Sequence, residues 1–286
     1  MNKSGIIILN KPKGLTTNHL IQKLKRKLNV KKIGHAGTLD PLATGVVICL
    51  INNGTKLSDY FLNENKAYEV TMKLFQATDT YDSDGSIIEE QEPFKIEQEQ
   101  VEKVIAKFNG LAYEQEPPMY SAIKIDGKKL YEYARENQVV KVNKRLIKIN
   151  SLSLDKYENN EISMTVYCSK GTYIRSLIVD IAKELNTIAH VTSLNRIESG
   201  NFIIKNSVNI ENCEESNLIK MFDAIKMADY EIVELDDTLN VEHGKKIEVI
   251  AEKNIVFISN KSKELIACYE RENENVFKCK RGGLNI

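Results

Sequence analysis

The sequence predicts an α+β protein: a larger domain built on a mixed, largely antiparallel sheet flanked by helices, then a small C-terminal β module. Three observations carry this. At roughly 150 residues per domain, the 286 residues suggest about two domains. Up to about Asp229, strand-like runs mingle with helical ones whose apolar positions recur at three and four. Beyond Asp229 the texture changes to short β-like runs separated by polar turns. The predicted division is therefore 1–228 and 229–286. Apolar residues at 42% and charged residues at 28% describe an ordinary globular chain and exclude a disordered one.

The elements follow in order. Gly5 to Asn10 reads as a strand ended by the Lys11-Pro12-Lys13-Gly14 turn. Thr17 or Asn18 can cap a helix with Leu20, Ile21, Leu24 and Leu28 on its apolar side. Ile33 to Gly45, with three glycines and Pro41, reads as a loop, and Val46 to Ile51 as a buried strand. Thr55 to Leu62 reads as helical, Tyr68 to Leu74 as an alternating strand, and Thr78 to Gly85 as a polar turn. A helix is expected over Ile96 to Phe108, strands over Lys144 to Tyr157 and Glu161 to Cys168, a helix over Tyr173 to Leu185, and a short strand over Ser199 to Ile204. The last module offers strand-like runs at 231–235, 246–250, 255–259, 265–269 and 276–280.

No apolar run approaches the roughly 20 residues of a membrane span; Val46 to Ile51 is the longest clean one in the first half. Ile6 to Leu9 is only strand-length, with Lys11 and Lys13 behind it, and predicts no signal peptide. Five scattered cysteines with no C-x-x-C spacing exclude a disulfide scaffold or zinc ribbon and fit a reducing cytoplasm. The formal net charge is zero, but its placement is uneven. Nine Lys/Arg precede the first acidic residue, Asp40. Tyr120 to Asn150 holds eight basic residues against three acidic ones, while Asp79 to Glu102 is acidic. Two basic segments in a neutral chain suggest one polyanion-facing surface with an acidic back; taken singly, each run also fits a solvated face.

The string Gly34-His35-Ala36-Gly37-Thr38-Leu39-Asp40-Pro41-Leu42-Ala43-Thr44-Gly45 carries the most information. Glycines permit close approaches and unusual backbone, Pro41 restricts Asp40 to an extended conformation, and a buried strand follows. That arrangement holds one carboxylate rigidly in a basic neighbourhood, where it stays ionised as a nucleophile must. Asp-Pro is also a plain turn initiator, and spacing alone does not choose between the two.

This string resembles the catalytic motif of the bacterial tRNA pseudouridine synthase B family, which isomerises the T-loop uridine of tRNA at position 55. Further blocks are similar in the family's order: Lys11-Pro12-Lys13-Gly14 with Thr16-Thr17, Lys66-Ala67-Tyr68 with Thr78 to Gly85, Pro117 to Ala122 with Gly127 to Tyr131, Cys168 to Arg175, and Ala189 to Arg196. The resemblance covers roughly residues 5–203. Departures are few: Phe75 stands where glycine is usual, Asn195 and Ile197 flank Arg196 in place of Arg and Thr, and Thr17 replaces a common Ser.

The resemblance implies a pseudouridine-synthase-type catalytic domain and a PUA-like RNA-binding C-terminal module. It implies that Asp40 is the nucleophile and that Arg175 pairs with it. Tyr68 would stack on the target base, Tyr173 and Leu194 would line the uracil pocket, His35 would fill the space of the flipped base, and Asp82 would join the network near Arg175. On pattern alone Leu194 and Tyr68 read as core, Arg175 as a helix-surface arginine and His35 as a loop or core histidine. Residues 120–150 would be an insertion that closes over the RNA. Isomerisation needs no metal or cofactor, and none is expected; nor is a membrane. The expected partner is the tRNA T-stem loop, with no protein partner required, and the expected state is a monomer in the cytoplasm. A second reading is a tRNA-binding folding factor (an RNA chaperone) that uses the same surface. A glycosidase using paired carboxylates is poorly matched, since no second acid accompanies Asp40 in its loop.

Overall fold

The computed structural model describes residues 1, 3–136, 138 and 140–286; positions 137 and 139 of the basic 120–150 stretch lie outside the described residues. The chain forms two compact units. The first is stitched from Met1–Asp40, Gly45–Asn63 and Glu198–Ile286, and the second from Pro41–Thr44 and Glu64–Ile197.

In the first unit the strand Gly5–Lys11 runs antiparallel to Thr44–Ile51, with Gly5 opposite Ile51 and Lys11 opposite Gly45. Both strands are apolar almost throughout, as strands covered on both faces must be. The residues read as a loop from Ile33 onward begin instead with a strand, Ile33–Ala36, antiparallel to Thr44–Ile51 with His35 opposite Cys49. Gly34 and His35 hid it, since these residues are poor strand formers and the ladder itself supplies the stability.

The helix Thr17–Lys27 buries Leu20, Ile21 and Leu24 and ends in Lys25, Arg26 and Lys27, where cations complement the helix dipole. Its cap is Thr16, whose side chain accepts from the His19 N–H at 3.1 Å, and not Thr17 or Asn18 as expected. Thr55 to Leu62 divides into a 3₁₀ turn over Asn52–Leu57 and a short helix, Ser58–Leu62.

The C-terminal β texture is real. Its five strands, Glu231–Glu234, Ile247–Glu248, Ile255–Ser259, Leu265–Asn273 and Val276–Arg281, form one sheet, antiparallel except where the first lies parallel to Ile255–Ser259. One side buries Val256, Ile258, Tyr269 and Phe277. On the other side Phe257, Leu265 and Cys268 share a core with Ile6, Ile48, Leu50, Tyr60 and Phe61. Each such side chain contributes about 1.5–3 kcal/mol by leaving water.

In the second unit the strands lie in the order Ala189–Ser199, Lys66–Leu74, Glu161–Cys168, Arg145–Glu158, Ala112–Gln115. Glu161 pairs with Lys73 and Cys168 with Lys66, so Lys66, Tyr68, Val70 and Met72 share the buried side of their strand. The helices Gln98–Phe108 and Ile174–Glu184 touch each other; the first packs on Arg145–Glu158 and the second on Lys66–Leu74. The α+β architecture is therefore as expected. Ala189–Ser199 and Ala112–Gln115 were not read as strands, and the expected strand at Ser199 to Ile204 shortens to Phe202–Ile203. Among the described residues, no helix is long and apolar enough to cross a membrane.

Candidate active site

Asp40 and His35 belong to the first unit, and Tyr68, Asp82, Tyr173, Arg175 and Leu194 to the second. Asp40 is half-buried at the end of the Gly37–Asp40 bend. The bend requires glycine at position 37, whose φ of 91° lies in the left-handed region. Leu39, immediately before Asp40, is 4% exposed, so its peptide groups need partners. One buried hydroxyl supplies both: Thr17 Oγ1 donates to the Leu39 carbonyl and accepts from the Leu39 N–H, each at 2.9 Å. Downstream, Pro41 restricts Asp40 itself. His35 is half-buried on the strand Ile33–Ala36.

Residues 41–44, which follow Asp40, fall in the second unit, where Thr44 Oγ1 donates to Asn195 Oδ1 at 3.1 Å. Asn195 Nδ2 in turn donates to Glu69 Oε2 at 2.9 Å. The residue that departs from the family pattern at 195 is thus occupied in linking Thr44 to Glu69 of the strand Lys66–Leu74. Its neighbour Leu194 is 5% exposed.

Arg175 and Asp82 come together as the resemblance implied. Arg175 stands in the first turn of the helix Ile174–Glu184 and is 3% exposed, so the surface-helix reading fails. Its Nη1 donates to the Thr80 carbonyl at 2.6 Å and its Nη2 to the Tyr120 carbonyl at 2.8 Å, while Nε lies 3.6 Å from Asp82 Oδ2. A guanidinium has five donors in a fixed fork, which suits it to joining three segments of chain. Asp82 Oδ1 accepts from Thr80 Oγ1 at 2.7 Å and from the Asp84 N–H at 3.1 Å. The turn that carries Asp82 is clasped to the strand Ala189–Ser199: the Ser83 N–H donates to the Val191 carbonyl and the Val191 N–H to that of Tyr81. Tyr81 takes a φ of 65°, an outlier for a bulky side chain and a mark of a turn held in place by its surroundings.

Tyr173 caps the Arg175 helix, and sequence reasoning missed what holds it. Gln115, 2% exposed, accepts from the Tyr173 N–H at 2.8 Å through Oε1 and donates to the Tyr173 carbonyl at 3.1 Å through Nε2. Nε2 also donates to Tyr113 Oη at 3.1 Å, and Tyr113 donates to Asp180 Oδ2 at 2.9 Å. Contacts that span 58 residues leave no local signal. The sequence offers Thr17 as a cap and as part of the opening motif, with no sign of its bond to Leu39. The doublet Thr16-Thr17 held a clue, since only one of the two can cap.

Tyr68 is 8% exposed, opposite Val166 in the ladder. Two residues earlier on the same face, Lys66 is 7% exposed; burial, then the nearby Arg196, pushes its ammonium down to about 8. In the basic stretch the tyrosines of the short helix Leu130–Arg135 stack on cations within and just before it: Lys129 Nζ and Arg135 Cζ lie 5.2 and 5.3 Å from the Tyr131 ring, and Lys128 Nζ lies 4.6 Å from that of Tyr133. Tyr120 donates to Asp79 Oδ2 at 3.2 Å. Among the described residues, no group of three or more His, Cys, Asp or Glu is placed to hold a metal ion.

A family model described as TruB family pseudouridylate synthase (N terminal domain) matches residues 25–174. The tRNA pseudouridine synthase B of Mycoplasma capricolum subsp. capricolum is 52% identical over 288 residues, covering 100% of this chain and 99% of the relative. That of Clostridium tetani is 39% identical over 249 residues, covering 86% of each. Among solved structures, a chain of a Cbf5-Nop10-Gar1 complex aligns with a TM-score of 0.74 at 23% identity, covering 98% of this chain and 84% of that one. At that identity the likeness shows a shared fold.

Proposed function

We propose, given that the chain belongs to the TruB family of pseudouridylate synthases, that it acts on the T loop of tRNA at uridine 55 and that Asp40 is its nucleophile. The chain is an isomerase that forms pseudouridine in tRNA. The finer reading divides it into a catalytic domain, 1–228, with an RNA-contacting insertion over about 120–150, and a PUA-like RNA-binding module, 229–286. It acts as a cytoplasmic monomer with no protein partner and no cofactor.

The target nucleoside is extruded from the stack at a cost of a few kcal/mol, offset by phosphate contacts from the basic segments. His35 fills the vacated space. The base lies against Tyr68, with Tyr173 and Leu194 as further walls of the pocket. Arg175 pairs with Asp40 and keeps its carboxylate ionised and oriented, while Asp82 helps to order the guanidinium. The reaction breaks the N1 glycosidic bond, turns the uracil and forms the C5–C1′ bond; no electron donor or external energy source is consumed.

The observation that carries this reading is the bend itself: a half-buried Asp40 whose backbone is set by Thr17 through Leu39 upstream and by Pro41 downstream. Fixed position and retained access are what a nucleophile needs. Asp40→Asn tests it. Pseudouridine formation in a T-stem-loop transcript should fall below detection, with RNA affinity within about tenfold of the parent, or 1.4 kcal/mol. Full activity in that variant removes Asp40 from the mechanism.

A further inference from the structure

We infer that Thr17 is a positioning residue for the reaction: its hydroxyl sets the backbone from which Asp40 projects. The inference rests on the reading of Asp40 as nucleophile and adds a residue that the chemistry does not touch.

The sequence offers Thr17 as a helix cap, but Thr16 caps the helix, so the Thr17 hydroxyl is not needed there. Thr17 is 1% exposed, and its oxygen is spent on a residue 22 positions away. The two groups it binds belong to successive peptide planes. The Leu39 N–H lies in the plane shared with Thr38, and the Leu39 carbonyl in the plane shared with Asp40. Holding both leaves little freedom in the φ and ψ of Leu39, and Pro41 removes much of what remains at Asp40. The left-handed Gly37 just upstream would otherwise act as a loose joint. Thr17 is β-branched and sits in the first turn of a helix, so its own χ1 is restricted. The brace is therefore stiff at its base as well as at its tip. A misplacement of about 1 Å at a reacting group can cost on the order of 100-fold in rate.

The test compares Thr17→Val, which keeps shape and removes both hydrogen bonds, with Thr17→Ser, which keeps the hydroxyl. Single-turnover rates and affinity are measured on the same T-stem-loop transcript, alongside Asp40→Asn. Thr17→Val should slow pseudouridine formation by about tenfold or more with RNA affinity within about threefold. Thr17→Ser should restore the rate to within about threefold of the parent. If Thr17→Val does not fold, Thr17→Cys, with a weak donor of similar size, is held to the same criterion. The inference is overturned by a Val or Cys variant at the parent rate, by a loss that falls on affinity and not on rate, or by a Ser variant as slow as Val. If Asp40→Asn is fully active, the nucleophile reading fails instead, whatever Thr17 does.

Discussion

Leu39, next to Asp40, is held through both of its backbone polar groups by one hydroxyl oxygen, whereas Tyr173, two residues before Arg175, is held by the two ends of an amide. The surroundings differ too. Lys66, Asp82, Gln115, Arg175 and Arg196 are all buried polar or charged groups of the second unit. Leu39 is a buried residue of the first unit. A hydroxyl can rotate to satisfy a donor and an acceptor at once, so one atom suffices. An amide has fixed ends. Here a third bond fixes which end is which, because Nε2 also donates to Tyr113, whose own proton goes to Asp180. The first brace is self-contained, and the second is one link in a network that must be satisfied throughout to be stable.

The largest test of that contrast is Arg175→Met. It strips the guanidinium from the buried Asp82 and leaves the Thr80 and Tyr120 carbonyls without their donor. Breaking such a pair costs about 3–5 kcal/mol, measurable as a fall in thermal midpoint together with loss of pseudouridine formation. A variant as stable as the parent would show that the network around Asp82 closes without arginine.

Lys66→Met probes the cost of buried charge in the second unit. Between about 8 and the ordinary 10.5, the unfolded chain binds more protons at Lys66 than the native chain does. Stability contributed by this group therefore rises with pH across that window and is lowest below it. Denaturant titrations should find the parent gaining ~3 kcal/mol on Lys66→Met as pH rises through the window. A flat difference would mean that the ammonium is not desolvated.

Gln115→Glu is the smallest of the three. It keeps an acceptor for the Tyr173 N–H but sets a carboxylate oxygen against the Tyr173 carbonyl and against Tyr113. A loss of about 1–3 kcal/mol is expected from chemical denaturation. If the loss is smaller than that of Thr17→Val, the brace near Arg175 is the less important of the two.

The strands whose alternation or apolar run is intact, such as Lys66–Leu74, Glu161–Cys168 and those of the C-terminal sheet, were legible because one residue in two faces a core. Ala189–Ser199 was not, because buried His190 and Arg196 break its apolar pattern. Ala112–Gln115 is mostly polar and owes its place to pairing with Arg145–Lys148. The motif residues became visible through resemblance, and the structure adds the Arg175–Asp82 pair and the burial of Leu194. Gln115 acquires its role only through a partner 58 residues away, so no local window could reveal it, and the local signal for Thr17 is no more than the spare hydroxyl of the Thr16-Thr17 doublet.

The threading of the chain through its two units has a consequence for synthesis. The second unit is almost wholly one continuous stretch, Glu64–Ile197, and all of its ladder partners exist once that stretch has left the ribosome. The first unit begins earlier and finishes last. Ile6 and Ile48 must wait for Phe257, Leu265 and Leu284 to complete their core. The nascent chain therefore carries an unsealed apolar strand pair through most of its translation while the segment between matures.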